Sequence, residues 1–173
     1  MNKYLKQKSI ENRSFTNFDI KTPPQEKNIY GSRDVCKITG LTYKQLDYYD
    51  RTDFLSPSVN QAVGYGSKRM YSFNDLLKLK VVKSLLDAGI SLHKIRKTKK
   101  YLELDGNGED AFLKVTLISD GNTVFACYSD KEIIDTINNG QAVFGIALEK
   151  VYNNLKDDVE DFLRKASRSE KEM

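Results

Sequence analysis

From Ser32 onward the chain is punctuated regularly, with apolar positions at helical spacing between Gly, Ser, Thr and Pro breaks. "SRDVCKITG" predicts a short helix over 33–39, capped by Ser32 and ended by Gly40, which takes the left-handed turn past a helix at little cost. Thr42 then caps a second helix over 43–51. Two short helices across a Gly-containing turn form a helix-turn-helix. In "FLSPSVNQAVGYGSKRMYS", Leu55 to Val59 and Arg69 to Tyr71 read as extended segments around a Gly/Asn/Ser-rich loop, a hairpin that Pro57 confines to a sheet edge. Ser72 and Asp75 have capping-box spacing before a helix with Leu76, Leu79, Val82 and Leu86 on one face and Gly89 as its stop. Ser91 opens another, with Leu92, Ile95 and Leu102 inward and Lys/Arg outward.

After "DGNGED" at 105–110 the period changes. "FLKVTLIS" and "TVFACYS" flank Asp120-Gly121-Asn122 and predict a strand pair with a short turn. Ser129 and Glu132 mark the start of a helix ending at Asn139-Gly140, "QAVFGIAL" is a third strand, and Val151, Leu155, Val159 and Phe162 lie at the spacing of a closing helix. The expected fold class is α+β: a helix-turn-helix with a wing over 28–104, a linker at 105–110, and a small ββαβα domain over 111–165. Residues 1–27, polar, aperiodic and closed by Pro23-Pro24, read as a disordered basic arm, and 166–173 as a disordered tail.

Charge sharpens this division. The 173 residues carry a formal net charge of +4. Residues 28–104 hold 14 Lys and Arg against 7 Asp and Glu, whereas 105–173 hold 8 against 14. A basic half joined to an acidic half suggests two domains with different partners, the basic one suited to a polyanion. The sequence has no apolar run of membrane-spanning length and no continuous apolar segment in "MNKYLKQKSIENRSFTNF", so neither a membrane partner nor a secretory signal is expected. Cys36 and Cys127 are too isolated for a disulfide framework or metal-ligand spacing, and Cys36 is expected to pack inside its helix. A reducing, cytoplasmic setting, in association with the nucleoid, fits these features.

"DVCKITGLTYKQLDYYDRTDFLSPS" followed by "RMYSFNDLLKLKVVKSLLDAGISLHKIRK" resembles the DNA-binding domain of the MerR family of bacterial regulators over about 29–102. "TYKQLDYYDRT", "GYGSKRMYS", "LISDGNTVFACYS" and "GQAVFGIAL" resemble a narrower, actinobacterial FtsR-like subset with an α+β C-terminal domain. The resemblance implies a transcriptional regulator that binds double-stranded promoter or operator DNA as a homodimer, with cell-division or growth genes among its targets. It also allows an effector in the C-terminal domain.

On that footing Thr42, Tyr43, Lys44 and Gln45 open the recognition helix and have first access to base edges, Gln45 suiting adenine and Lys44 guanine or phosphate. Tyr48 and Tyr49 are adjacent and so point about 100° apart: one is expected in the core, the other at a phosphate. The wing contributes Tyr65, Ser67, Lys68 and Arg69, with Arg69 where the family has its wing arginine. Asp47 stands where the family usually has Arg. Its i, i+4 spacing to Arg51 predicts an ion pair that turns Arg51 towards the DNA backbone. The lysine-rich run at 94–100 reads as a solvated helix face. Metal-sensing members carry cysteines after a long dimerisation helix, and this sequence shows neither feature, so the acidic domain is expected to dimerise the chain, bind an effector, or both. Phe125, Tyr128, Val143, Phe144 and Ile146 form its expected core or interface.

Two other readings remain open at this point: a ligand-binding or protein-interaction module with a vestigial helix-turn-helix, and an architectural DNA protein. No nucleophile–base pair, carboxylate pair or phosphate loop is visible, so neither an enzyme nor a cofactor is expected.

Overall fold

Local hydrogen bonding determines where each helix starts and stops. The computed structural model describes residues 29–61, 67–104, 108–113, 115–120, 122–129, 131–132, 144–146 and 148–171. Helix α1 (Ser32–Thr39) starts one residue earlier than expected: Gly31 occupies the N-cap with no side-chain bond, and Ser32 lies inside the helix. Gly40 ends it at φ 76°, its N–H donating to the Cys36 carbonyl. Helix α2 (Tyr43–Arg51) has a full capping box. The Gln45 N–H donates to the Thr42 hydroxyl, and the Thr42 N–H donates to the Gln45 side chain.

The end of α2 is equally well specified. Asp53 takes φ 51° and donates to the Asp50 carbonyl, while the Phe54 N–H reaches back to Tyr49 at 2.8 Å. This is a Schellman ending with Asp in the left-handed position that Gly usually takes, and its apolar contact is the edge-on Tyr49–Phe54 ring pair, 5.3 Å apart. Helix α3 (Phe73–Asp87) repeats the scheme, with a Ser72/Asp75 capping box and a Schellman ending through Gly89 at φ 87°. Ser91 accepts from the Lys94 N–H at the start of α4 (Leu92–Leu102).

The region between α2 and α3 differs from the expected hairpin. Strand β2 (Met70–Tyr71) pairs antiparallel with β1 (Tyr30–Gly31), at the beginning of the described chain, rather than with Leu55–Val59. Among the described residues, the backbone pairing between the two sides of the wing is an isolated bridge, Asn60 to Met70. Residues 55–59 are instead held from below: the Asp75 carboxylate accepts from the Ser58 N–H and hydroxyl at 2.9 and 2.7 Å. A buried carboxylate thus substitutes for the strand ladder. Gly64 to Gly66 and Tyr65 lie outside the described residues.

Helix α3 is the hub. Leu76, Leu77, Leu79, Val81, Val82 and Leu85 are all buried, so its covered surface is wider than the face carrying Leu76, Leu79 and Val82; Leu86 is only partly covered. Helices α1 and α4 and the 3-10 helix Gly108–Leu113 pack on it. So does α5 (Leu148–Lys171), which also packs on α1.

The acidic half contributes β3 (Thr116–Ser119), β4 (Val124–Cys127) and β5 (Phe144–Ile146) in the antiparallel order β4-β3-β5. The Asp120 carboxylate accepts from the Asn122 and Thr123 N–H groups and closes the β3–β4 turn. Residues 133–143, which include the rest of the expected helix and Val143, lie outside the described residues, as does the Phe144 side chain. The basic arm at 1–27 does too.

Three expectations change here. Helix α5 continues to Lys171, so the segment from 166 is helical where a disordered tail was expected. The two halves also share one core: Leu155 and Val159 of α5 belong to the same buried cluster as Val35, Leu76 and Leu79. Phe73 and Tyr152 meet edge-on at 5.6 Å, and Lys80 pairs with Asp158 at 2.8 Å. The charge asymmetry that suggested two partners is partly satisfied between the halves. Of the segment taken as linker, Gly108 to Asp110 begins the 3-10 helix, and Asp110 pairs with Lys78 at 2.7 Å.

Leu155 is fully buried in that shared core. Leu155→Ala is expected to cost about 2–5 kcal/mol and to shift the whole thermal transition followed by circular dichroism. Separate melting of an unchanged helix-turn-helix would contradict the single core.

Candidate nucleic-acid interface

The amphipathic sequence of α2 turns Leu46 and Tyr49 inward and leaves Tyr43, Lys44, Asp47, Tyr48 and Arg51 along the outer face. Tyr43 is 57% exposed and Tyr48 43%, whereas Tyr49 is 1% exposed. Tyr49 is therefore the core tyrosine, shut off from any outside partner, and burial pushes its hydroxyl pKa up. Tyr48 is the one of the pair left at the surface. Thr42 and Gln45 are committed to the capping box: the Gln45 carbonyl oxygen accepts from both the N–H and the hydroxyl of Thr42. Adenine recognition by Gln45 would have to break that cap or use the amide nitrogen alone.

Arg69, at the root of the wing, faces inward. Its guanidinium pairs with Asp47 at 2.9 Å and Asp50 at 2.5 Å, and its side chain is only 14% exposed. Asp47 also accepts from Arg51 at 2.8 Å, the i, i+4 pair anticipated from spacing, and Arg51 remains 66% exposed. Two carboxylates and two guanidinium groups thus form one charge-balanced network joining α2 to the root of the wing. Arg69 serves as a strut in it, since a cation already held by two carboxylates has little left for a phosphate. Ser67 and Lys68 are exposed beside it, and the Asn60 side-chain amide donates to the Lys68 carbonyl at 2.9 Å.

A further contributor comes from α4. Arg96 donates to the Thr52 hydroxyl, which itself donates to the Tyr48 carbonyl at 2.6 Å. The Arg96 guanidinium carbon lies 5.1 Å from the Tyr48 ring centroid and 4.9 Å from that of Phe54. Local sequence gave no sign of this, because within a lysine-rich run Arg96 looks like another solvated cation. Only the fold brings it 44 positions back along the chain to Thr52.

Residues 30–102 match the MerR HTH family regulatory protein family. That segment is a MerR-type helix-turn-helix domain. Similarity extends further in HTH-type transcriptional regulators of Mycobacterium tuberculosis and Mycobacterium bovis, each 46% identical over 139 residues, or 80% of this chain and 61% of theirs. The chain therefore spans about three fifths of the length of these relatives. The HTH-type transcriptional regulator GlnR of Bacillus anthracis is 36% identical over 62 residues, covering 36% of this chain and 45% of that one. Among the described residues, no helix is long and apolar enough to cross a membrane.

In the MerR-type domain the pairing tunes both partners of the network. Hydrogen bonding from Arg69, then Arg51, holds the Asp47 carboxyl below its ordinary value despite some desolvation. For Arg69, burial opposes the charge, but Asp47 and Asp50 outweigh it and raise the pKa. A carboxylate depressed by folding adds stability that is present above its unfolded pKa and is lost as pH falls through the folded one. The melting-temperature gap between the unaltered chain and Asp47→Asn is therefore expected to stay constant between about pH 5 and 8 and to close below about pH 4. Thermal melts at a series of pH values check this, and a gap that widens towards acid would contradict the network.

Proposed function

We propose that the chain is a sequence-specific, DNA-binding transcriptional regulator. The observation that carries this reading is the outer face of α2 in a MerR-type domain, where Tyr43, Lys44, Tyr48 and Arg51 stand exposed while the opposite face is locked in the core. Placed in a major groove, the first turn of α2 would present Tyr43 and Lys44 to base edges, with Thr42 and Gln45 maintaining the helix start behind them. Further along, Tyr48 and Arg51 would meet the phosphate backbone. Lys68 and Ser67, with Tyr65, would follow the adjoining sugar-phosphate edge as the wing.

Asp47 has a consistent place in this scheme. It faces the outer side of α2, but its charge is offset by Arg51 and Arg69, so its cost against phosphate is reduced. Of the two arginines, Arg51 is free enough to reach a phosphate, and Arg69 sets the distance between helix and wing.

Family likeness further supports homodimerisation, with half-sites about one helical turn, ~34 Å, apart on the DNA. Dimerisation or effector binding by the acidic half rests on the same likeness. Control of cell-division or growth genes, and a place in the FtsR-like subset, rest on the sequence resemblance alone. The vestigial-module reading predicts no salt-dependent DNA binding, which makes it separable from this one.

Fluorescence anisotropy on a labelled fragment of the chain's own promoter region, at several salt concentrations, tests the proposal. Affinity is expected to fall steeply with salt, and Lys44→Ala and Arg51→Ala are each expected to reduce the slope by about one. Absence of binding, or binding indifferent to salt, would overturn it. Asp47→Ala is expected to weaken binding by releasing Arg51 and Arg69 together, and an unchanged affinity and slope would remove its orienting role.

A further inference from the structure

The outward face of α4 carries His93, Lys97 and Lys100 in the open, but Arg96 is directed towards the recognition helix. Helix α4 is itself fixed by fully buried Ile95 and Leu102, so Arg96 stands on a rigid support. From there its planar guanidinium meets two rings and one hydroxyl, all near the end of α2. The Phe54 ring is locked by the Schellman ending and by Tyr49. The Tyr48 ring is the less enclosed partner: it is 43% exposed, and its other ring contact is Tyr49 at 6.5 Å.

We propose that Arg96 is a positioning residue for DNA binding, holding the Tyr48 ring and the Thr52 end of the recognition helix in the orientation that meets the DNA backbone. The inference rests on the DNA-binding reading above and adds to it a residue outside the helix-turn-helix proper. A cation over an aromatic face restricts the ring without covering its hydroxyl, so Tyr48 reaches a phosphate already ordered. Because Arg is flat and forked, it can stack and donate to Thr52 at once. Lysine, a compact ammonium on a flexible stem, cannot reproduce this. Arg96 thereby connects the groove-reading helix to α4, and α4 in turn to the acidic half, where Lys94 donates to Asn122 at 2.8 Å.

The test uses the full chain and a labelled fragment of its promoter region. Arg96→Met, which preserves much of the side-chain bulk, is expected to weaken binding by about tenfold with the salt slope unchanged. Tyr48→Ala is expected to lose a comparable amount, and the double variant no more than the worse single one, since both act through the same ring. Losses that multiply would overturn the proposal, as would full affinity in Arg96→Met. A slope reduced by about one would also overturn it, by showing that Arg96 itself neutralises a phosphate. Arg96→Lys is expected to stay close to Arg96→Met, and restoration to full affinity would show that charge alone suffices. If circular dichroism shows Arg96→Met unfolded, the Lys variant, alone and combined with Tyr48→Ala, carries the same comparison. Absence of DNA binding by the unaltered chain would remove both readings, whereas normal binding without coupling between Arg96 and Tyr48 removes this one alone.

Discussion

Burial of the apolar positions of α3, which extend around most of the helix, is the constraint on which the rest depends. A helix with so broad an apolar surface cannot be satisfied by a helix-turn-helix alone, since α1 and α4 cover only part of it. The remaining surface is closed by the 3-10 helix and by α5. Once α3 is enclosed, α1 is fixed between it and α5, α2 is fixed by α1, and the outer face of α2 is what remains for a partner. The position of the proposed recognition surface is thus a by-product of core formation some distance away.

Electrostatics at that surface does something different from simple attraction. Acid lies on both sides of Arg69, where a row of free cations would have given stronger non-specific attraction to DNA. On the proposed DNA-binding reading, tying Arg69 to Asp47 and Asp50 gives up some of that attraction for a fixed relation between helix and wing, a geometric requirement for reading sequence rather than charge. Cap, strut and stack act on the same short helix. Thr42–Gln45 fixes its start, Asp47–Arg69 its middle and Arg96–Tyr48–Thr52 its end.

Most local structure was legible in the sequence, because it is encoded locally. The Thr42 and Ser72 caps, the Gly40 and Gly89 stops and the Asp47–Arg51 pair all lie within four residues of their partners. Distinct burial of Tyr48 and Tyr49 followed from helical geometry alone. What escaped depended on long-range contacts. Pairing of β2 with β1, the Asp75 tie to Ser58, the double hold on Arg69 and the inward turn of Arg96 join residues 17 to 44 positions apart, or nearly as far in the case of the strands. The opposite charges of the two halves were visible, but that they partly face each other was not, because composition does not show which surfaces meet. The outermost part of the wing and the segment at 133–143 remain expectations from sequence.

Helix α5 also bears on how the chain can change over time. Its apolar stripe lies on α1 and α3, so any substitution on the covered face of the helix-turn-helix must suit a segment more than 60 residues later. Such a pair drifts in step or not at all.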